Sequence, residues 1–129
     1  MLKLGPHTIT NPIFLAPMAG ITDVPTREIM EKFGIGLAFS EMVNAQYLNS
    51  NTTKVSKRLK SHRSSSSALF AVQLVGNNCD ELSLASKIAC DQGADIIDFN
   101  LGCPVKKVTN GYDGSSLLKD IDLVKRLTG

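Results

Sequence analysis

The sequence contains no apolar run that approaches the roughly 20 residues needed to cross a bilayer. Its first residues, Met1 to His7, lack the apolar core of a secretory signal peptide. No low-complexity tract is long enough to indicate a disordered protein. We therefore expect a globular protein of at most one domain in the cytoplasm, not at a membrane.

Cysteine pairs and metal-ligand clusters are also missing from the sequence. The three cysteines, Cys79, Cys90 and Cys103, cannot all pair with one another, and none lies in a C-x-x-C motif. The two histidines are far apart, so no zinc-ligand spacing occurs. We expect free thiols in a reducing compartment, no metal ion, and structural roles for Cys79 and Cys90.

Acidic residues are missing from one long stretch of the chain. None lies between Glu41 and Asp80, where five basic residues do occur: Lys54, Lys57, Arg58, Lys60 and Arg63. This basic run is typical of a solvated surface, and it is also compatible with a polyanionic partner. The net charge of +2 does not decide between the two interpretations.

What the sequence does contain is an alternation of short apolar runs with helix-like segments. Residues 12–18, 36–41, 68–75 and 94–100 are predicted strands. Helices are predicted after each, starting near Asp23, Asn44, Asn78 and Asp120, with Gly34 and Gly93 ending the first and third. Helical spacing predicts the buried faces: Ile29, Met30 and Phe33; Leu82, Ala85, Ile88 and Ala89; Leu123, Val124 and Leu127.

This order of elements predicts βαβ units on a parallel sheet. A doubly wound fold would carry G-x-G-x-x-G after its first strand, and residues 17–20 read PMAG instead. A TIM (β/α)8 barrel fits better but needs about 250 residues. We predict an α/β fold that is the N-terminal half of a TIM barrel, with about four βα units and parallel strands.

Catalytic groups of a barrel gather at the C-terminal ends of its strands. Met18, Glu41, Gln73 and Asn100 occupy these positions. An amide offers a donor and an acceptor together, which suits the edge of a flat ring such as a flavin or a uracil. Alternatively, the two amides satisfy nearby backbone groups.

Cys103 follows the fourth predicted strand and lies between Gly102 and Pro104, which favour a tight turn. The turn predicts a thiol held in one place. Lys106 and Lys107 are nearby cations that would favour a thiolate or bind phosphate. The competing interpretation is an ordinary buried cysteine.

Five segments together resemble the tRNA-dihydrouridine synthases, most closely their bacterial B-type branch. They are residues 15–25 (LAPMAGITDVP), 40–42 (SEM), 72–76 (VQLVG), 100–108 (NLGCPVKKV) and 114–118 (GSSLL). The resemblance covers nearly the whole chain. It implies an FMN enzyme on a TIM barrel with a small helical C-terminal domain. Such an enzyme reduces the C5=C6 bond of uridines in tRNA, with NADPH as the reductant.

The resemblance also implies roles for individual residues. Cys103 would be the acid that protonates C5 while a hydride reaches C6, and a thiol is mostly protonated at neutral pH. Pro17, Met18 and Ala19 would lie against the flavin, and Gln73 would bond to the isoalloxazine edge.

The remaining implied contacts involve the RNA. Asn100 would help to hold the target uracil, which must leave the base stack to be reduced. Lys106, Lys107 and the basic run would contact phosphates of the tRNA.

Compared with the full set of domains that the family implies, we expect residues 1–129 to be a partial FMN-binding barrel domain without the C-terminal barrel half or the helical RNA-binding domain. Weak FMN binding, aggregation and little or no activity are then expected. Two alternatives stay open: a non-catalytic remnant that binds RNA or a partner, and an FMN barrel of the dihydroorotate-dehydrogenase type. The basic run and the G-C-P-x-K-K motif favour the tRNA enzyme over the latter.

Overall fold

The computed structural model describes residues 1–51, Val55, Leu59 and 68–129 of the chain. It opens with an antiparallel hairpin of β1 (Leu2–Leu4) and β2 (His7–Ile9). The basic run of Lys54, Lys57, Arg58, Lys60 and Arg63 lies outside the described residues. The elements that follow are β3 (Phe14–Leu15), α1 (Val24–Glu31), β4 (Leu37–Phe39), β5 (Val43–Asn44), α2 (Ala45–Ser50), β6 (Leu69–Val75), α3 (Cys79–Asp91), β7 (Ile96–Phe99), α4 (Lys106–Thr109), a 3-10 helix (Gly114–Lys119) and α5 (Ile121–Thr128).

All pairings in the main sheet are parallel. Strand β3 pairs with β4, β4 with β6, and β6 with β7, while the short β5 pairs with the end of β6. The four predicted strands are thus confirmed, although each is shorter than its apolar run. Parallel neighbours joined through helices are the βαβ arrangement that the sequence predicted.

A bulge separates β4 from β5. Phe39 pairs with Ala71 and Val43 with Leu74, so the three residues 40–42 face only two residues of β6. At the bulge, the buried hydroxyl of Ser40 replaces a backbone partner. Its Oγ accepts from the Gln73 backbone N–H at 3.1 Å and donates to the Glu41 carbonyl at 2.7 Å. The bulge therefore leaves β6 anchored at Gln73.

The core lies between the sheet and its helices. Phe70, Val72 and Leu74 of β6 are buried against α3, which contributes Leu82, Ala85 and Ala89. Side chains of a strand alternate between its faces, so Ala71 and Gln73 point to the opposite, concave face. Strand β7 follows the same rule: Ile97 and Phe99 pack toward the core, and Asp98 points the other way.

The predicted starts of all four helices are confirmed, including that at Asn44, which accepts from Tyr47 N–H at 2.9 Å. Asp23 accepts from Thr26 N–H at 3.1 Å, Asn78 from Glu81 N–H at 3.0 Å, and Asp120 from Leu123 N–H at 2.9 Å. Each bond satisfies one of the free donors in the first turn of a helix.

The buried face predicted for α1 is correct for Met30, which packs against the core, and wrong for Ile29 and Phe33. Ile29 is 54% exposed and Phe33 is 78% exposed, whereas Arg27 is only 3% exposed. Arg27 turns inward because its Nη1 donates to the Thr22 carbonyl at 2.8 Å and its guanidinium lies 4.7 Å from the centre of the Phe70 ring.

Cys79 and Cys90 are both exposed, and the Cys79 thiol donates to the Arg126 carbonyl at 3.6 Å, a contact with α5 that agrees with the structural role expected for it. They lie eleven residues apart on α3, about three full turns, and therefore share its solvent face. None of the described helices has the length and hydrophobicity to span a membrane.

Candidate active site

A line of hydrogen-bonded polar side chains crosses the C-terminal ends of β6 and β7. Gln73 Nε2 donates to Asp98 Oδ2 at 2.6 Å, and Gln73 Oε1 accepts from Asn100 Nδ2 at 2.9 Å. Gln73 and Asp98 meet because they are register partners on neighbouring parallel strands. The two amides proposed from sequence are therefore in direct contact.

The same line continues into the turn that carries Cys103. Asn100 Oδ1 accepts from the backbone N–H groups of Gly102 at 3.2 Å and Cys103 at 2.9 Å. This side-chain turn fixes the backbone of Cys103, whose side chain is half-buried. Gln73, Asn100 and Cys103 thus lie on one rim of the sheet, linked by hydrogen bonds.

The 3-10 helix packs onto the Cys103 turn from the other side. Ser115 N–H donates to the Cys103 carbonyl at 3.0 Å. Gly114 has φ +61°, and a Cβ added to it would stand 2.7 Å from the Cys103 carbonyl oxygen. Glycine is required there by both backbone conformation and space, which gives residues 114–118 a clear role in holding the thiol.

The tip of β3 is organised by Thr22, which is completely buried. The Met18 carbonyl accepts from the backbone N–H groups of Ile21 and Thr22 and from Thr22 Oγ1, each at 3.0–3.1 Å. Met18 is half-buried and packs against the core near Leu15; Pro17 beside it is also half-buried, and Ala19 is exposed. The chain from Pro17 to Ala19 is therefore a fixed ledge at the sheet rim.

Glu41 connects this ledge to the next strand tip, because its Oε1 accepts from the Gly20 backbone N–H. It also borders a cleft of about 130 Å³ with Arg27, Ser40 and Tyr47. Burial lowers the pKa of Arg27, and the nearby carboxylates of Glu31, Asp23, Glu41 and Glu28 oppose that shift.

Lys106 and Lys107 begin α4, three and four residues beyond Cys103, and both are exposed. Their ammonium groups are free to meet an anion that approaches the Cys103 turn from solvent. Within the described residues, no group of three or more His, Cys, Asp or Glu side chains is arranged to hold a metal ion.

Sequence reasoning missed Asp98, Arg27, Ser40 and Thr22. Asp98 had a usable signal, since a lone acid inside an apolar strand requires a partner. The other three had none: an arginine in an amphipathic helix, a serine at a strand end and a threonine in a turn are ordinary surface residues in a sequence.

The parallel sheet, its outer helices and a thiol at the strand tips define the chain as the N-terminal half of a TIM barrel with a candidate site in the usual place for that fold. The profile of the family described as Dihydrouridine synthase (Dus) matches residues 14–129. The chain belongs to the dihydrouridine synthase family.

Individual relatives agree with this assignment. The chain is 44% identical over 126 residues to tRNA-dihydrouridine synthase B of Pasteurella multocida, covering 98% of the chain and 37% of the relative. It is 45% identical over 127 residues to a probable tRNA-dihydrouridine synthase of Rhodobacter capsulatus, covering 98% of the chain and 39% of the relative. The chain thus spans little more than a third of the length of these relatives. This family assignment rules out the alternative of an FMN barrel of the dihydroorotate-dehydrogenase type.

Proposed function

We propose that this chain supplies the first half of the catalytic barrel of an enzyme that reduces uridine to dihydrouridine in tRNA, with FMN as cofactor and NADPH as reductant. The observation that carries the proposal is the hydrogen-bonded line from Gln73 through Asn100 to the Cys103 turn. It fixes a thiol beside two amides on the concave face of the sheet, where a flat ring would be read by its edge.

The residues present suit a flavin. After donating to Asp98, Gln73 Nε2 keeps one N–H for a carbonyl or ring nitrogen of the isoalloxazine edge. The ledge of Pro17, Met18 and Ala19 offers an apolar side chain and an exposed backbone to the ring. The parts of the FMN site beyond these residues would come from the rest of the barrel.

Cys103 is proposed as the general acid. FMN, once reduced by NADPH, would supply the hydride that adds to C6 of the uracil. The charge that then develops at C5 requires a proton, and the Cys103 thiol would give one; Asn100 and Ser115 hold its backbone. The resulting thiolate is reprotonated from solvent before the next turnover.

The tRNA would be held at two points. Asn100 retains one N–H on Nδ2 that a uracil carbonyl would accept, since its other bonds go to Gln73 and the backbone. Lys106 and Lys107, exposed beyond the same turn, would neutralise phosphates next to the extruded nucleotide. Binding through these lysines should weaken as salt is raised.

The test uses the chain joined to the residues that follow the matched region in the Pasteurella multocida relative, here called the joined protein. We expect it to restore dihydrouridine in tRNA of a bacterium lacking its own synthases, measured by mass spectrometry of digested tRNA. Replacement of Cys103 by Ala should lower the rate roughly 100- to 10,000-fold, the usual contribution of a general acid.

Cys90→Ala is the matched control, because Cys90 is an exposed thiol on the far side of α3 and should leave the rate unchanged. Full activity of Cys103→Ala would remove Cys103 from its role. A joined protein that binds FMN and tRNA but forms no dihydrouridine would favour the non-catalytic alternative.

A further inference from the structure

Asp98 lies next to the proposed site without any role in the chemistry above. It is the only acid of β7, and its side chain points to the concave face beside Gln73. Its Oδ2 accepts from Gln73 Nε2 at 2.6 Å.

The line of hydrogen bonds runs from Asp98 through Gln73 and Asn100 to the backbone of the Cys103 turn, so it has an acceptor-only group at one end and donor-only groups at the other. A carboxylate can only accept, and the backbone N–H groups of Gly102 and Cys103 can only donate. Between them stand two amides, Gln73 and Asn100, each of which could face either way. Only one arrangement satisfies every bond. Gln73 directs its N–H to Asp98 and its oxygen to Asn100, and Asn100 directs its N–H to Gln73 and its oxygen to the Cys103 turn.

We propose that Asp98 is a positioning residue: together with the backbone N–H groups at the other end of the line, its carboxylate holds the Gln73 and Asn100 amides in one direction, and so presents an N–H of Gln73 to the flavin edge while strengthening the hold on the Cys103 backbone. This inference rests on the proposed function for its ligand, but not for its hydrogen bonds. If Gln73 turned over, its oxygen would face a carboxylate and its nitrogen would face the nitrogen of Asn100. Both contacts are repulsive, which keeps the native orientation.

The first measurement is hydrogen exchange at the Cys103 backbone N–H in the joined protein. This N–H is at the end of the hydrogen-bonded line opposite Asp98. In Asp98→Asn the bond from Gln73 Nε2 loses its charged acceptor, and in Asp98→Ala it is lost altogether, so Gln73 and, through it, Asn100 hold the Cys103 N–H less firmly. We expect its exchange to accelerate about tenfold, and at least as much in Asp98→Ala, as the loss of a charge-assisted bond implies.

The backbone N–H of Asn100 is the internal reference, because it donates to the Leu74 carbonyl at 2.9 Å and does not depend on the side-chain line. General destabilisation would accelerate both amides, whereas loss of positioning accelerates only Cys103. Asp91→Asn, the same chemical change at the exposed end of α3, should alter neither.

A double variant separates the two consequences of the proposal. In Asp98→Asn with Gln73→Glu, the new carboxylate accepts from the amide introduced at position 98 on one side and from Asn100 on the other. Asn100 Nδ2 then donates to a charged acceptor and is held firmly again, so protection of Cys103 N–H should return. The N–H offered to the flavin is lost, so FMN affinity of the joined protein, followed by flavin fluorescence, should stay about tenfold or more below that of the unsubstituted protein.

An unchanged exchange rate of Cys103 N–H in both Asp98→Asn and Asp98→Ala would overturn the proposal. So would a double variant in which Cys103 N–H still exchanges fast while Asn100 N–H stays protected. Failure of the unsubstituted joined protein to bind FMN would instead count against the proposed function. The exchange measurements on the Asp98 variants would still decide the role of Asp98.

Discussion

At the scale of single residues, the site is surrounded by polar groups whose partners are almost all provided. Asp113 is the exception among the described residues near Cys103. It precedes the 3-10 helix that packs on the Cys103 turn, and its Oδ1 is buried without a hydrogen-bond partner. Burial raises the pKa of Asp113 above its ordinary value of 3.8, and the nearby charge of Glu81 raises it further. The ionised form is therefore held at a cost to stability.

The sign of the effect follows from linkage. Since the folded protein binds this proton more tightly than the unfolded chain, the free energy of unfolding falls as pH rises from 3.8 through the raised pKa of Asp113. Asp113→Asn removes that loss. We expect the variant to be more stable than the unsubstituted protein at pH 7 in urea titrations, with the difference shrinking as pH falls toward 3.8.

Asp122→Asn is the comparison, since Asp122 is exposed and only forms a surface ion pair with Lys125 at 3.4 Å. It should change stability little at any pH. A stability difference for Asp113→Asn that is the same at pH 4 and pH 7 would contradict the linkage.

At the scale of elements, the β1–β2 hairpin closes the end of the sheet opposite the site. Asn11, just after the hairpin, donates to the Gly34 carbonyl, and Gly36 N–H donates to the Ile13 carbonyl at 2.9 Å. The backbones approach so closely that a Cβ on Gly36 would stand 1.9 Å from the Asn11 carbonyl oxygen and 2.6 Å from Ile9 Cγ2. The hairpin is thus seated on a position that only glycine can occupy.

Gly36→Ala should destabilise the protein by about 3 kcal/mol, the upper part of the range for overpacking, because the clashing atom belongs to the backbone. Urea denaturation followed by circular dichroism measures the change. Gly102→Ala provides the matched control, as nothing lies within 4 Å of its added Cβ. Equal stability of the two variants would show that the hairpin can be displaced at no cost.

At the scale of the whole molecule, the described sheet has two outer strands. In the part of the chain that the structure describes, β3 pairs only with β4 and β7 pairs only with β6. Ile13 is 61% exposed and Phe14 38% exposed at the β3 edge. Apolar groups beside an unpaired strand edge are a surface for further pairing.

From this geometry we expect these 129 residues, expressed alone, to bind FMN weakly and to associate, while the joined protein binds FMN stoichiometrically and stays monodisperse. Flavin fluorescence titration and light scattering measure the two properties. Tight stoichiometric binding by the 129 residues alone would show that the ledge and Gln73 suffice for the cofactor.

The sequence by itself determined the order of strands and helices, because apolar periodicity and the capping residues Asp23, Asn78 and Asp120 act over short distances. It also determined the candidate positions Gln73, Asn100 and Cys103, since side chains that end parallel strands must reach one rim of the sheet. These parts of the prediction needed no knowledge of which strands pair.

Only the tertiary structure decided which polar groups meet. The contact of Gln73 with Asp98 depends on the register of β6 against β7, the bond of Ser40 to Gln73 depends on a bulge, and the inward turn of Arg27 depends on the Phe70 ring. Each joins residues 25 or more positions apart, and contacts between such residues leave no periodic signal in the sequence because their energy depends on distances set by packing.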